Sequence, residues 1–92
     1  LQKLGKKYTK QSKEKQLLIK DEVKTLTQDI QYSDLEALFN TSVKKVGTRI
    51  VVMISLQEML NKGLTRNQLI NDFISKALND NNDLLVAEAK NF

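Results

Sequence analysis

Leu60–Leu78, LNKGLTRNQLINDFISKAL, is the stretch whose reading decides the fold. Its first residues end a helix. Asn-Lys-Gly is a stop signal, with Gly63 placed as the C′ residue that takes the left-handed conformation. On that register Leu64 is C″ and Met59 is C3, the two side chains that touch in a Schellman cap. A second helix begins at once. Thr65 and Gln68 form a T-x-x-Q capping box, and the helix they open carries Leu69, Ile70, Phe73, Ile74, Ala77 and Leu78 on one face. Arg66, Asn67, Asn71, Asp72, Ser75 and Lys76 fall on the other. The stretch therefore predicts two helices around a tight joint.

Working upstream, Thr48–Ile54 (TRIVVMI) is apolar and rich in β-branched residues. Continuity into Ser55–Asn61 and the stop at Gly63 favour one buried helix from about Thr48 to Lys62. The alternative is a short strand at Arg49–Ile54 followed by a helix from Ser55, supported by strand propensity and a Ser55–Glu58 capping box. Before it, Ile19, Val23, Leu26 and Ile30 make a helical stripe between Lys13 and Gln31. Ser33 and Glu36 read as a capping box ahead of Leu35, Leu38, Phe39, Val43 and Val46, with Gly47 as the residue that ends this helix. Downstream, NDNND at 79–83 is a turn, and Leu84–Lys90 is a short final helix. No proline interrupts any of these segments. The expected fold is all-α: a small bundle of four to five short helices over residues 13–92. With 92 residues the chain fits one domain.

Residues 1–12 read differently. Lys3, Lys6, Lys7, Lys10, Lys13 and Lys15 are opposed in the first fifteen residues by Glu14 alone, and Leu1, Leu4 and Tyr8 are the only sizeable apolar groups before residue 12. Such a segment has little surface to bury against the entropy of ordering, so it is expected to be a flexible basic arm. A second basic cluster follows at Lys44, Lys45, Arg49, Lys62 and Arg66, opposed between residues 42 and 66 only by Glu58. Residues 67–92 are acidic. A polyanion is drawn to the arm and the middle cluster.

The absent residue types exclude much chemistry. With no cysteine there is no disulfide, thiolate nucleophile or Cys-bound zinc, and with no histidine the commonest general base and metal ligand are missing. Gly5, Gly47 and Gly63 are too far apart to cradle a phosphate. Asp80 and Asp83 lack the glycine and closing glutamate of a calcium loop. No enzyme activity, cofactor, metal or small-molecule substrate is expected. The longest apolar run, Ile50–Ile54, is far below the ~20 residues of a membrane span. The start, LQKLGKK, has no apolar signal core, so a cytoplasmic location is expected.

The joint resembles a helix-turn-helix unit, in which two helices meet across a short turn and the second presents its first residues to DNA bases. Gly63, Leu64 and Leu69 sit where that motif places its glycine, its apolar turn residue and a core residue. Glu58, Lys62 and Asp72 stand where it buries apolar groups. The resemblance implies that Thr65, Arg66, Asn67, Gln68 and Asn71 face the groove. Arg pairs bidentately with guanine, and Asn or Gln with adenine. Lys62 and the free N–H groups of the helix start suit a phosphate, as do Lys44, Lys45, Arg49 and the arm. TRIVVMIS also resembles the pairing strand of the ribbon-helix-helix family, which implies a dimer.

The expected function is that of a regulatory or accessory protein binding DNA or RNA, DNA foremost, with a homodimer formed through apolar helix faces. The alternative is a small helical protein-interaction module, an inhibitor or adaptor. In its favour, Leu17, Leu18 and Ile19 on one helix and Val51, Val52 and Met53 on another are more apolar than a single stripe requires.

Overall fold

The computed structural model describes all residues from Leu1 to Phe92 and is entirely helical. Six helices follow in order: α1 (Gln2–Tyr8), α2 (Lys13–Thr27), α3 (Tyr32–Thr41), α4 (Val46–Asn61), α5 (Gln68–Leu78) and α6 (Asp83–Ala89). The strand alternative at 49–54 is not adopted, because Arg49–Ile54 lies inside α4.

α4 is the axis of the molecule. α1, α2, α3 and α6 all pack directly on it, and α5 packs on α6. Its run from Ile50 to Leu56 is buried on every side. A helix enclosed in this way has no polar face to keep wet. Burial of its Val, Ile, Met and Leu side chains, at roughly 1.5–3 kcal/mol each, outweighs the few tenths of a kcal/mol by which β-branched residues disfavour helix. Hydroxyls inside this core pair across helices, while the buried Tyr32 hydroxyl has no hydrogen-bond partner. Thr27 Oγ1 donates to the Val23 carbonyl at 2.7 Å and meets Ser55 Oγ at 2.6 Å, which ties α2 to α4. Phe73 of α5 stands edge-on to Phe39, with ring centroids 4.8 Å apart, and to Tyr32 at 6.0 Å. These aromatic contacts seat α5 against α3.

The joint after α4 is the expected Schellman cap. Leu64 N–H donates to the Met59 carbonyl at 2.9 Å, Gly63 N–H donates to the Leu60 carbonyl at 3.3 Å, and Gly63 has φ +114°. Four other expectations are corrected. Residues 1–12 are not a flexible arm. Leu4 and Tyr8, one turn apart, are buried against α4, and Gly5 lets the two backbones meet. Gly47 does not end α3; it lies in the first turn of α4 under Gly5. Ser33 lies inside α3, whose N-cap is Gln31, so the Ser33–Glu36 box is not the start of that helix. α5 is capped by Asn67, whose side chain accepts from Ile70 N–H at 3.0 Å, and not by Thr65. α5 buries Ile70, Phe73, Ile74 and Ala77, and Leu69, expected on the same face, is exposed.

Candidate functional site

The candidate nucleic-acid residues divide into two groups at the two ends of α4. Lys45 is the N-cap of α4 and Lys62 its C-cap. At ~1.5 Å of rise per residue, the two ends of this helix lie roughly 25 Å apart. Lys44 and Lys45 therefore do not share a patch with Lys62 and Arg66.

At the C-terminal end, the expected base-reading side chains do gather on an exposed surface, but four of the five are engaged in hydrogen bonds within the chain. Arg66 Nε donates to Asn71 Oδ1 at 2.6 Å, and Gln68 Nε2 donates to Asp72 Oδ1 at 2.8 Å. Asn67 is spent on the cap, whereas Thr65 is exposed. Nor is the connection that of a helix-turn-helix. Six residues, 62–67, separate α4 from α5, against the three or four of that motif. The buried face of α5 turns to Phe39, Tyr32 and α6. Lys62 points to another cleft, of about 560 Å³, between α2 and the end of α4, where Lys24, Ile30, Tyr32 and Met59 also line the walls.

The N-terminal end has a different character. α1 crosses α4 where Gly5 meets Gly47 and Thr48, so close that a Cβ on Gly5 would lie 2.5 Å from Thr48 Cα. This crossing fixes α1 with Leu4 and Tyr8 inward and Lys3, Lys6 and Lys7 outward and exposed; Lys10 follows just past the helix end. Lys44 and Lys45 are exposed within three residues of Gly47. Two lysine clusters far apart in the chain thus each lie within three residues of one crossing.

Arg49, assigned to phosphate on sequence grounds, is held inside the fold. Its Nε donates to the Phe39 carbonyl at 3.1 Å, its Nη1 to Asp80 Oδ2 at 3.1 Å, and its guanidinium sits 4.1 Å from the centroid of the Phe39 ring. The side chain is only 11% exposed. Its outer edge borders a cleft of about 650 Å³, lined also by Lys44, Lys76, Asn79 and Asn82. In the sequence Lys76 reads as a solvated position on the polar face of α5. Nothing local marks Asp80, 31 residues away, as the partner of Arg49.

Of the titrating groups, the two tyrosines depart from their ordinary values. Burial, followed by the charge of Glu88, raises Tyr8. Burial, followed by the Glu36 carboxylate one turn along α3, pushes Tyr32 up to about 12. Nowhere do three or more His, Cys, Asp or Glu side chains come together in a way that could hold a metal ion. No helix is long and apolar enough to cross a membrane. The chain matches no protein-family model, no curated protein and no solved structure.

Proposed function

We propose that this chain binds a nucleic acid, duplex DNA foremost, in a regulatory or accessory role, and that it does so through the lysine face of α1 and the α3–α4 turn. One observation carries the reading: α1 is docked on α4 by the Gly5–Gly47 crossing, so that exposed Lys3, Lys6 and Lys7 and exposed Lys44 and Lys45 all stand on ordered backbone within three residues of one contact. Phosphate contacts of this kind supply affinity without sequence information. The base-reading role moves away from the α5 start, where Arg66, Asn67 and Gln68 are internally bonded.

Fluorescence anisotropy with a random duplex at about 50 and about 200 mM salt tests this. A face engaging four or five phosphates gives a log–log salt slope of roughly −4, a loss of about two to three orders of magnitude between those conditions. Lys6→Glu combined with Lys44→Glu abolishes binding, while Arg66→Ala leaves the affinity within about twofold. Salt-insensitive binding, or none in the unmodified chain, refutes the proposal.

A second reading, a protein-interaction module, is favoured by Leu17 and Leu18. They stand 61% and 67% exposed on α2, beyond the face that α2 buries. Its signature is association that persists at high salt and is lost with Leu17→Ser and Leu18→Ser. A homodimer through that face is one form of it, and light scattering distinguishes the two states.

A further inference from the structure

The cleft between the α3–α4 turn and the α5–α6 turn joins residues that no other part of the fold brings together. Lys44 comes from the first turn, Arg49 from α4, Lys76 from the last turn of α5, and Asn79 and Asn82 from the second turn. Arg49 is the fixed point. The Phe39 carbonyl, Asp80 and the Phe39 ring hold its guanidinium from three directions through Nε, Nη1 and the π face. Nη2 takes no part in those two hydrogen bonds. Its in-plane donors are therefore pre-oriented, and the cost of ordering a long cationic side chain is already met by the fold. Asp80 cancels one charge, and Lys44 and Lys76 leave the cleft with a surplus of two positive charges.

From this we infer that the cleft is a nucleoside-phosphate site. The phosphate lies between Lys44 and Lys76 against the outer edge of Arg49, and the amides of Asn79 and Asn82 face the sugar or base. Asn82 Oδ1 is committed to Leu84 and Leu85 N–H groups as the cap of α6, which leaves its Nδ2 to donate. The cleft is open and polar, with about 650 Å³ of space, room for one nucleotide held chiefly by charge and hydrogen bonds. The lysine face of α1 and the α3–α4 turn is sequence-blind. This cleft adds a place where one nucleotide, of a bound strand or free in solution, is held by a fixed guanidinium and amide groups as well as by lysine charge. The inference builds on the proposed nucleic-acid binding, extending it from Lys44 across to α5.

The test is a set of titrations of the isotopically labelled full chain, followed through its backbone amides, with inorganic phosphate, a nucleoside, the corresponding nucleoside 5′-monophosphate and a short single-stranded oligonucleotide. The monophosphate is expected to shift amides in 43–49 and 76–82, phosphate alone to shift the same set more weakly, and the nucleoside alone to leave them in place. Lys76→Ala, an exposed position, is expected to weaken the monophosphate about fivefold or more. In duplex binding it lowers the salt slope by about one. If the oligonucleotide shifts the cleft and the monophosphate does not, the free-nucleotide source is excluded and the strand is retained. If neither shifts 43–49 and 76–82, or Lys76→Ala changes nothing, the cleft assignment is overturned. Duplex affinity that still depends on Lys6 would leave the lysine face standing in that event, whereas loss of all duplex binding would remove the wider reading.

Discussion

Gly47→Ala is the most informative single change. Away from helix ends, replacing glycine by alanine in a helix stabilises by up to about 1 kcal/mol, because the backbone is less free in the unfolded chain. Gly47 is helical and its φ is not positive, so propensity alone predicts a gain. The structure reverses the sign. A Cβ at Gly47 would run into the carbonyl oxygen of Gly5, a backbone atom that no rotamer change can move aside. α1 must therefore shift or lift. The ceiling on the cost is set by what α1 buries. Leu4 and Tyr8 are 8% and 7% exposed, each worth roughly 1.5–3 kcal/mol. The net effect expected of such overpacking is a loss of about 1–3 kcal/mol. In a domain of this size that lowers Tm by roughly 5–20 °C. Circular dichroism should lose the contribution of the seven residues of α1, and trypsin should cut early at Lys3, Lys6 and Lys7. Gly63→Ala is the control: its φ of +114° strains any side chain, but nothing lies within 4 Å, so it lowers Tm without releasing α1. A Gly47→Ala chain that melts higher than the parent, with α1 protected, would refute the close crossing.

Asp80→Ala strips Arg49 of its carboxylate and is expected to cost about 1–3 kcal/mol in urea unfolding; an unchanged midpoint would mean that the Phe39 carbonyl and ring suffice. Ser55→Ala should cost about 1 kcal/mol, since Thr27 keeps its bond to the Val23 carbonyl, whereas Ser55→Val overfills the site and should cost more, about 1–3 kcal/mol. In a spectroscopic titration Tyr32 should ionise near 12, and Tyr8 above the ordinary 10.0. Both pKa values are raised by folding, so the stability they contribute is complete below pH 10.0 and drains away as pH climbs toward 12; unfolding free energies that stay flat across that window would contradict the burial of the two hydroxyls. Removing residues 1–9 should lower Tm, because it uncovers Gly47 and Thr48 on α4; an unaltered Tm would mean that α1 contributes nothing to the fold.

How far the sequence foretells the structure depends on how local each cause is. The cap at Gly63 is legible because Met59, Leu60 and Leu64 make it within six residues. The all-α class is legible for a similar reason: the stripe of α2 and the apolar face of α5 are periodic within themselves. α4 is recognisable as a helix only through its stop signal, since an axis buried on all sides has no periodicity to read. α1 is illegible, for its two apolar anchors are too few to order it until Gly5 meets Gly47, a partner in another helix. At the start of α5, Thr65 and Asn67 are both competent caps, and the choice of Asn67 leaves Arg66 outside the helix. At the candidate site, Lys44, Lys45 and Arg49 were visible as charge. Whether an arginine faces solvent or is locked to Asp80 is decided by a contact between α4 and the α5–α6 turn, and a one-dimensional charge count assigns both residues to the surface.

Ordering of the N-terminal lysines alters the energetics of any polyanion complex. A flexible arm that folds onto a ligand gives up conformational freedom at that moment, about 1–2 kcal/mol for each residue fixed. In this chain the fold has already fixed α1, and the lysines proposed to meet phosphate are not the residues that anchor the helix. Leu4, Gly5 and Tyr8 face α4, while Lys3, Lys6 and Lys7 face out. Stability and binding are therefore separable on this one helix. Charge changes at the outward positions act on the ligand alone, and changes at Gly5 or Gly47 act on both, because they move the platform. The loss of the helix-turn-helix geometry between α4 and α5 does not weaken this reading. It moves the proposed interaction from an entrance whose polar side chains are already hydrogen-bonded to a crossing whose lysines are left to the solvent.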